Sequence, residues 1–275
     1  MPQNILICEL IVHIITRVSD YDFTHYAMPA IERRLNSFVD KSKFSSLTSL
    51  LTELIKQDPD LVEEVAQFLT VTHTSFFRDV PYFDILYKNV LPELNMFSQI
   101  KCWNMACSAG QETYSIAVLL KLFRILHKST LLGTDINTNA LEIAKSATYD
   151  LNQIDELKER FDALTSKSPS TLLDFIKPNQ SSFGFNEEIR SACHFAQHNI
   201  ISDSSLGHMH FISCRNVLIY LSQEKQRYVI KELIVKSLEP GGFAMFGDAE
   251  NLLELANEIN FKKVHPNINI YQYLP

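Results

Sequence analysis

Through the first 75 residues apolar positions recur at helical spacing, and nowhere in that stretch do apolar and polar residues alternate. In NILICELIVHIITRV, residues Ile7, Leu10, Ile11, Ile14, Ile15 and Val18 share one helical face, which predicts a docking helix. MPAIERRLNSFV, SSLTSLLTELIKQ and PDLVEEVAQFLTV predict further helices, with Pro29 and Pro59 suited to first turns. VPYFDILYKNVLPEL predicts a linker helix. The expected organisation is an all-helical domain over 1–75, a linker over 76–98 and an α/β domain over 99–275.

From about residue 100 strand-like runs alternate with helices. IKCWNMAC, TLLGTD, CHFAQHN, MHFISCRN, FAMFGD and NINIYQYL read as strands. QETYSIAVLLKLFRIL reads as a long amphipathic helix, followed later by TNALEIAKSATY and SQEKQRYVIKELIVKSL. This rhythm predicts a mostly parallel sheet with helices on both faces, and the last two apolar runs form an antiparallel C-terminal edge pair across a short loop. Residues about 150–192 break the rhythm, being polar and Ser-rich around TSKSPS, and predict a small inserted subdomain or lid.

Composition narrows the classes. A chain of 275 residues with 46% hydrophobic and 21% charged residues is that of a soluble globular protein. The net charge of -7 argues against a nucleic-acid backbone as a general partner. The five cysteines include no CxxC pair and no Cys/His cluster at zinc-ligand spacing, so free thiols in a reduced, cytoplasmic compartment and no metal are expected. The N-terminal run lacks a basic leader and a small-residue cleavage site and carries Glu9 and His13, which argues against a signal peptide.

Candidate chemistry gathers at three strand ends, where an open parallel sheet binds ligands. CWNMACSAGQETYS runs from a strand through small residues to a lone Gly110 and puts Glu112 where the next helix begins. A phosphate loop would want bare amides and a lysine there, and one glycine without GxGxxG argues against a dinucleotide. Asp135 ends the second strand, where a carboxylate accepts from ribose hydroxyls, and Asn199 ends a third, where it could meet an adenine edge. A nucleoside cofactor without phosphates and with a positive amino group suits these residues, and S-adenosylmethionine is that cofactor. Glu112 and Asp135 are expected at solvent-accessible strand ends.

The chain resembles the chemotaxis receptor methyltransferases, the CheR family. THTSFFRD, ACSAGQETYSIAVLL, GTDINTNALEIAKSATY, FISCRNVLIYLSQEKQ and LEPGGFAMFGDAENL match its signatures in order, from about residue 20 to the end. The resemblance implies a Rossmann-like S-adenosylmethionine-dependent methyltransferase domain behind an all-α N-terminal domain. It implies cofactor contacts from Thr72, Thr74, Arg78, Glu112, Asp135, Asn199, Ile200, Arg215 and Asn216, with Arg78 reaching across the active site and Tyr220 facing the methyl group. Thr72 stands where the family has Asn, Ala106 where it has Gly, Gln111 where it has Glu, Thr113 where it has Pro, and Asp248-Ala249 within its GHSE.

The implied reaction is O-methylation of glutamate side chains on chemoreceptor cytoplasmic helices, leaving S-adenosylhomocysteine. A glutamate is ionised near neutral pH, so the reaction needs positioning rather than a general base. The implied protein is a monomer, at the membrane only through the receptor. Two alternatives stand beside it: methylation of a small carboxylate, and a CheR-like nucleotide-binding module without catalysis. Arg33, Arg34, Lys41 and Lys43, against Glu32 and Asp40, form a net-positive island for docking Glu-rich receptor helices.

Overall fold

The computed structural model describes residues 2–19, 21–70, 74–165, 169–250, 252–256 and 258–275, in two compact units. The first comprises residues 1–71 with the returning segment Ile219–Gln226, and the second comprises the remainder.

In the helical unit, α1 (Pro2–Val18), α2 (Met28–Lys41), α3 (Leu47–Leu54) and α4 (Pro59–Leu69) surround one apolar core. Asp58 caps α4 by accepting from Asp60 N at 3.0 Å, and Ser46 and Ser49 form a capping box on α3. The buried face of α1 is Cys8, Ile11, Val12 and Ile15, while Leu10 and Val18 are exposed. The face is thus rotated from the expected one, because Cys8 and Val12 complete an i, i+3, i+4, i+7 stripe. The returning segment joins by an antiparallel bridge between Tyr26 and Leu221, with Ala27 N donating to Tyr220 O at 2.8 Å.

In the second unit the chain enters through α5 (Val80–Ile85), a π-turn and α6 (Leu91–Leu94). There follow β1 (Ile100–Met105), α7 (Gln111–Leu122), β2 (Ser129–Asp135), α8 (Thr138–Ser146) and β3 (Thr148–Asp150). Next come α9 (Ile154–Thr165), β4 (Ile176–Pro178), β5 (Ser182–Phe185), α10 (Glu187–Ala192), β6 (Cys193–Gln197) and β7 (Met209–Cys214). The last elements are α11 (Gln223–Tyr228), which begins in the returning segment, β8 (Leu238–Phe246), α12 (Leu253–Ala256), β9 (Phe261–His265) and β10 (Ile268–Tyr273).

Seven strands form one sheet in the order β6-β2-β1-β7-β8-β10-β9. The pairs β2–β6, β1–β2, β1–β7 and β7–β8 are parallel, and β10 is antiparallel to both β8 and β9. FAMFGD and NINIYQYL do pair antiparallel. The connection between them is not a short loop, however: it carries α12 and β9, and β9 forms the outer edge. Helix α7 is buried from Thr113 to Leu120 rather than amphipathic, since it packs between the sheet and α10.

The Ser-rich break becomes a small antiparallel sheet, β3-β5-β4, with α9 beside it. Its Tyr149, Phe183 and Phe185 rings pack round Phe76 at 4.9, 5.8 and 5.6 Å. All five cysteines are free and buried. Among the described residues no helix is long and apolar enough to cross a membrane.

Candidate active site

The strand order reverses around β1, which has β2 on one side and β7 on the other, and the informative residues lie beyond these C-terminal ends. After β1 the chain turns through Ala106 and Ser108, both at φ 51°, to Gly110 at φ 85°. Left-handed backbone costs about 1–3 kcal/mol at a non-glycine residue and persists only where neighbours impose it. Here Cys107 N donates to Thr134 O at 2.8 Å and Ser108 N to Asp135 Oδ2 at 2.7 Å. Gly110 is required twice over, since a Cβ there would also lie 2.9 Å from Ala144 Cβ.

Asp135 accepts a second amide, Asn137 N, on Oδ1 at 2.8 Å. It is 8% exposed, contrary to the solvent-accessible position expected, because the β1 loop closes over it. Burial pushes its carboxyl above the ordinary value, and the hydrogen bonds from backbone amides oppose that shift. Glu112, in the first turn of α7, gains from the helix dipole. It too is largely covered, with a side chain 12% exposed that accepts from Ser213 Oγ and, at 2.7 Å, from Arg215 Nη1.

Arg215 is the hub of the site. Its side chain is 1% exposed, and Nη2 donates to Asp79 Oδ2 at 2.6 Å. Nη1 also reaches Arg78 O at 3.2 Å, and the guanidinium lies 4.5 Å over the Tyr82 ring. One buried cation therefore holds two acids from distant parts of the chain. Tyr82 Oη donates to Asp248 Oδ1 at 2.6 Å, so the departure at 248 has a partner.

The next residue, Asn216, has φ 60° and begins a turn gripped by one buried acid. Glu250 accepts from Asn216 N at 3.0 Å, Val217 N at 2.8 Å and Leu218 N at 2.9 Å, and also from Gly247 N.

A cavity of about 340 Å³ opens beside Arg78, Thr74, Asp79 and Gln111, with Gln153 and Glu156 contributed from the inserted subdomain. The Arg78 side chain is 34% exposed, with Nε 3.9 Å from Asp79 Oδ2. Gln111 is 6% exposed, and among the described residues its buried Oε1 has no hydrogen-bond partner.

The other expected residues are placed as follows. Thr72 lies outside the described residues. Asn199 uses Oδ1 to accept from Ile201 N at 2.9 Å, which leaves its amide nitrogen to donate, and Ile200 beside it is buried. Tyr220 is half-buried and folds with the helical unit. Arg33, Lys41 and Lys43 are exposed. Arg34 is not a free surface charge: it is half-buried and donates to Phe68 O and, at 2.7 Å, to Thr70 O, closing the C-terminal end of α4. That burial also lowers its pKa from the usual arginine value.

Sequence reasoning did not single out Ser213, Tyr82 or Glu250, nor Gln153 and Glu156. Ser213 and Glu250 sit in quoted motifs, whereas the polar insert gives no signal that its helix borders a cavity.

The chain is similar to known proteins over most of its length. The family profile described as "CheR methyltransferase, SAM binding domain" matches residues 72–268, and "CheR methyltransferase, all-alpha domain" matches residues 8–70. Chemotaxis protein methyltransferase 1 of Pseudomonas aeruginosa is 31% identical over 254 residues, covering 86% of this chain and 87% of that one. The chemotaxis protein methyltransferase of Listeria innocua is 28% identical over 246 residues, covering 89% of each. Chemotaxis protein methyltransferase 1 of Vibrio cholerae is 29% identical over 247 residues, covering 86% of each. With both profiles matched in order over a Rossmann-like sheet, the chain belongs to the CheR methyltransferase family and is an S-adenosylmethionine-dependent methyltransferase.

Proposed function

We propose that this chain forms methyl esters on glutamate side chains of chemoreceptor cytoplasmic domains, with the cavity beside Arg78 as the place where cofactor and substrate carboxylate meet. The observation that carries the reading is Gln111, which lines the cavity with Arg78 and whose buried Oε1 has no donor among the described residues. The residues fit S-adenosylmethionine. Gln111 can accept from its ammonium, Asp135 has lone pairs left for ribose hydroxyls, and Asn199 and Ile200 offer a donor and an apolar face to adenine. Thr74 lines the same cavity. Arg215 acts on the cofactor through Glu112, whose carboxylate it holds, and Asn216 is set by Glu250.

Bound cofactor supplies an electrophilic methyl group on a sulfonium. The protein's task is then alignment and exclusion of water. The incoming carboxylate needs no deprotonation at neutral pH, and a guanidinium can take it by a two-point fork. Arg78 is half-exposed and its only ion pair among the described residues is the long one to Asp79, so its fork is open to a substrate. Positioning of this kind supplies about 7–11 kcal/mol of a barrier.

Arg33, Lys41 and Lys43 would raise the encounter rate with acidic receptor helices. Arg34 drops out of that patch because it closes α4. The test is mass spectrometry of a receptor cytoplasmic fragment incubated with enzyme and cofactor. A methyl gained on glutamate supports the reading; a fragment left unmodified while the protein binds cofactor overturns it.

A further inference from the structure

The inserted subdomain grips the Thr74–Asp79 segment with a charged side chain. Arg160, on α9, donates from Nη1 to Ser75 Oγ at 2.7 Å and to Phe76 O at 2.8 Å, while Glu156 holds its Nη2. The gripped segment is one the chain does not adopt unaided. Phe77 has φ 46° and Asp79 φ 61°, the left-handed region that residues with side chains avoid and that surrounding structure must impose. Three further holds act on it. The Phe76 ring sits among Tyr149, Phe183 and Phe185, Phe77 N donates to Ser115 Oγ at 2.9 Å, and Arg215 donates to Arg78 O. Arg160 grips the backbone immediately before the first left-handed residue, and both it and Arg78 border the same cavity.

We infer that Arg160 is a positioning residue for methyl transfer: its Nη1, bonded to Ser75 and Phe76 and held in place through Nη2 by Glu156, fixes the strained turn that presents Arg78, coupling the inserted subdomain to turnover. The inference rests on the role proposed above for Arg78. Nothing in it requires Arg160 to touch substrate. A guanidinium is needed because Nη1 donates to both the hydroxyl and the carbonyl while Nη2 stays on Glu156, a two-nitrogen span that a lysine's single ammonium nitrogen does not reproduce.

The experiment compares wild type with Arg160→Met, which keeps the apolar stem, and Arg160→Lys, which keeps the charge. The first readout is hydrogen exchange at the Phe77 amide, with the amides of β1 and β2 as reference for global folding. In Arg160→Met that amide exchanges about tenfold faster or more, the strand amides are unchanged, and Arg160→Lys falls between. The second readout is methyl transfer, in which kcat falls by about tenfold or more while cofactor affinity changes little. A Phe77 amide exchanging at the wild-type rate overturns the positioning role. Faster exchange with wild-type kcat overturns the coupling to Arg78. A wild-type protein that transfers no methyl group overturns the proposed function instead, and the exchange readout still decides the grip. If Arg160→Met does not fold, Arg160→Lys carries both readouts, and the same two results overturn the positioning role and the coupling.

Discussion

At the scale of single residues the site is a set of acids whose charges have been assigned owners. Arg215 holds Asp79 and Glu112 at once, so removing it strands two carboxylates. Breaking a buried pair in this way costs about 3–5 kcal/mol, and Arg215→Met is expected to lower the denaturation midpoint as well as cofactor affinity. A variant with wild-type stability would contradict the hub. Arg78 carries no comparable structural duty through its side chain, so Arg78→Ala should leave the midpoint alone and lower kcat far more than cofactor affinity, as steady-state kinetics beside calorimetry would read.

Asp135 gives a pH dependence. Burial raises its folded-state pKa above the ordinary 3.8, so the native state holds that proton better than the unfolded chain does. Its contribution to stability therefore falls as pH rises from 3.8 through the raised value; with the proposed ribose contact, which the ionised form makes, cofactor affinity is expected to rise over the same window. Asp135→Asn should flatten both curves, measured by calorimetry and urea titration against pH. Unchanged slopes would remove Asp135 from the binding site. Asp135 and Glu112 were legible in the sequence as strand-end acids. Their burial was not, because it comes from loop amides and from Arg215, more than 100 positions from Glu112, folding over them.

At the scale of elements, period and punctuation carried the reading where elements are long. The four N-terminal helices and the parallel strands each have enough turns or alternations to declare themselves. Strands β4 and β5 have three and four residues, too few for a period, and FKKVH in β9 is too polar to read as a strand until β10 pairs with it. Helix α2 shows the same limit on one face. Arg33 and Arg34 are indistinguishable in the sequence, yet a helix places neighbours about 100° apart, so one points to solvent and the other reaches the carbonyls ending α4. The docking role is therefore tested with Arg33→Glu and Lys41→Glu together, sparing Arg34. The double reversal should slow methylation of a receptor fragment at low salt, lose that effect at high salt, and leave cofactor affinity unchanged. Equal rates across ionic strengths would leave the island without a docking role.

At the scale of the whole molecule, the catalytic sheet is joined to Gln111, whose buried Oε1 has no donor among the described residues, to Asp248 on Tyr82, and to an inserted subdomain that grips the Arg78 segment. Their common logic is alignment of a preformed nucleophile rather than proton transfer, which leaves the product's chemistry as the most direct evidence. The decisive measurement is transfer of label from methyl-labelled S-adenosylmethionine to a receptor cytoplasmic fragment, followed by mild alkaline treatment. Label is expected on the fragment and leaves it as volatile methanol in base, abundant with wild type and strongly reduced with Arg78→Ala; this is the result for glutamate methyl esters formed with the help of Arg78. Label that survives base, as on nitrogen or an ether oxygen, or label as abundant with Arg78→Ala as with wild type, would contradict it.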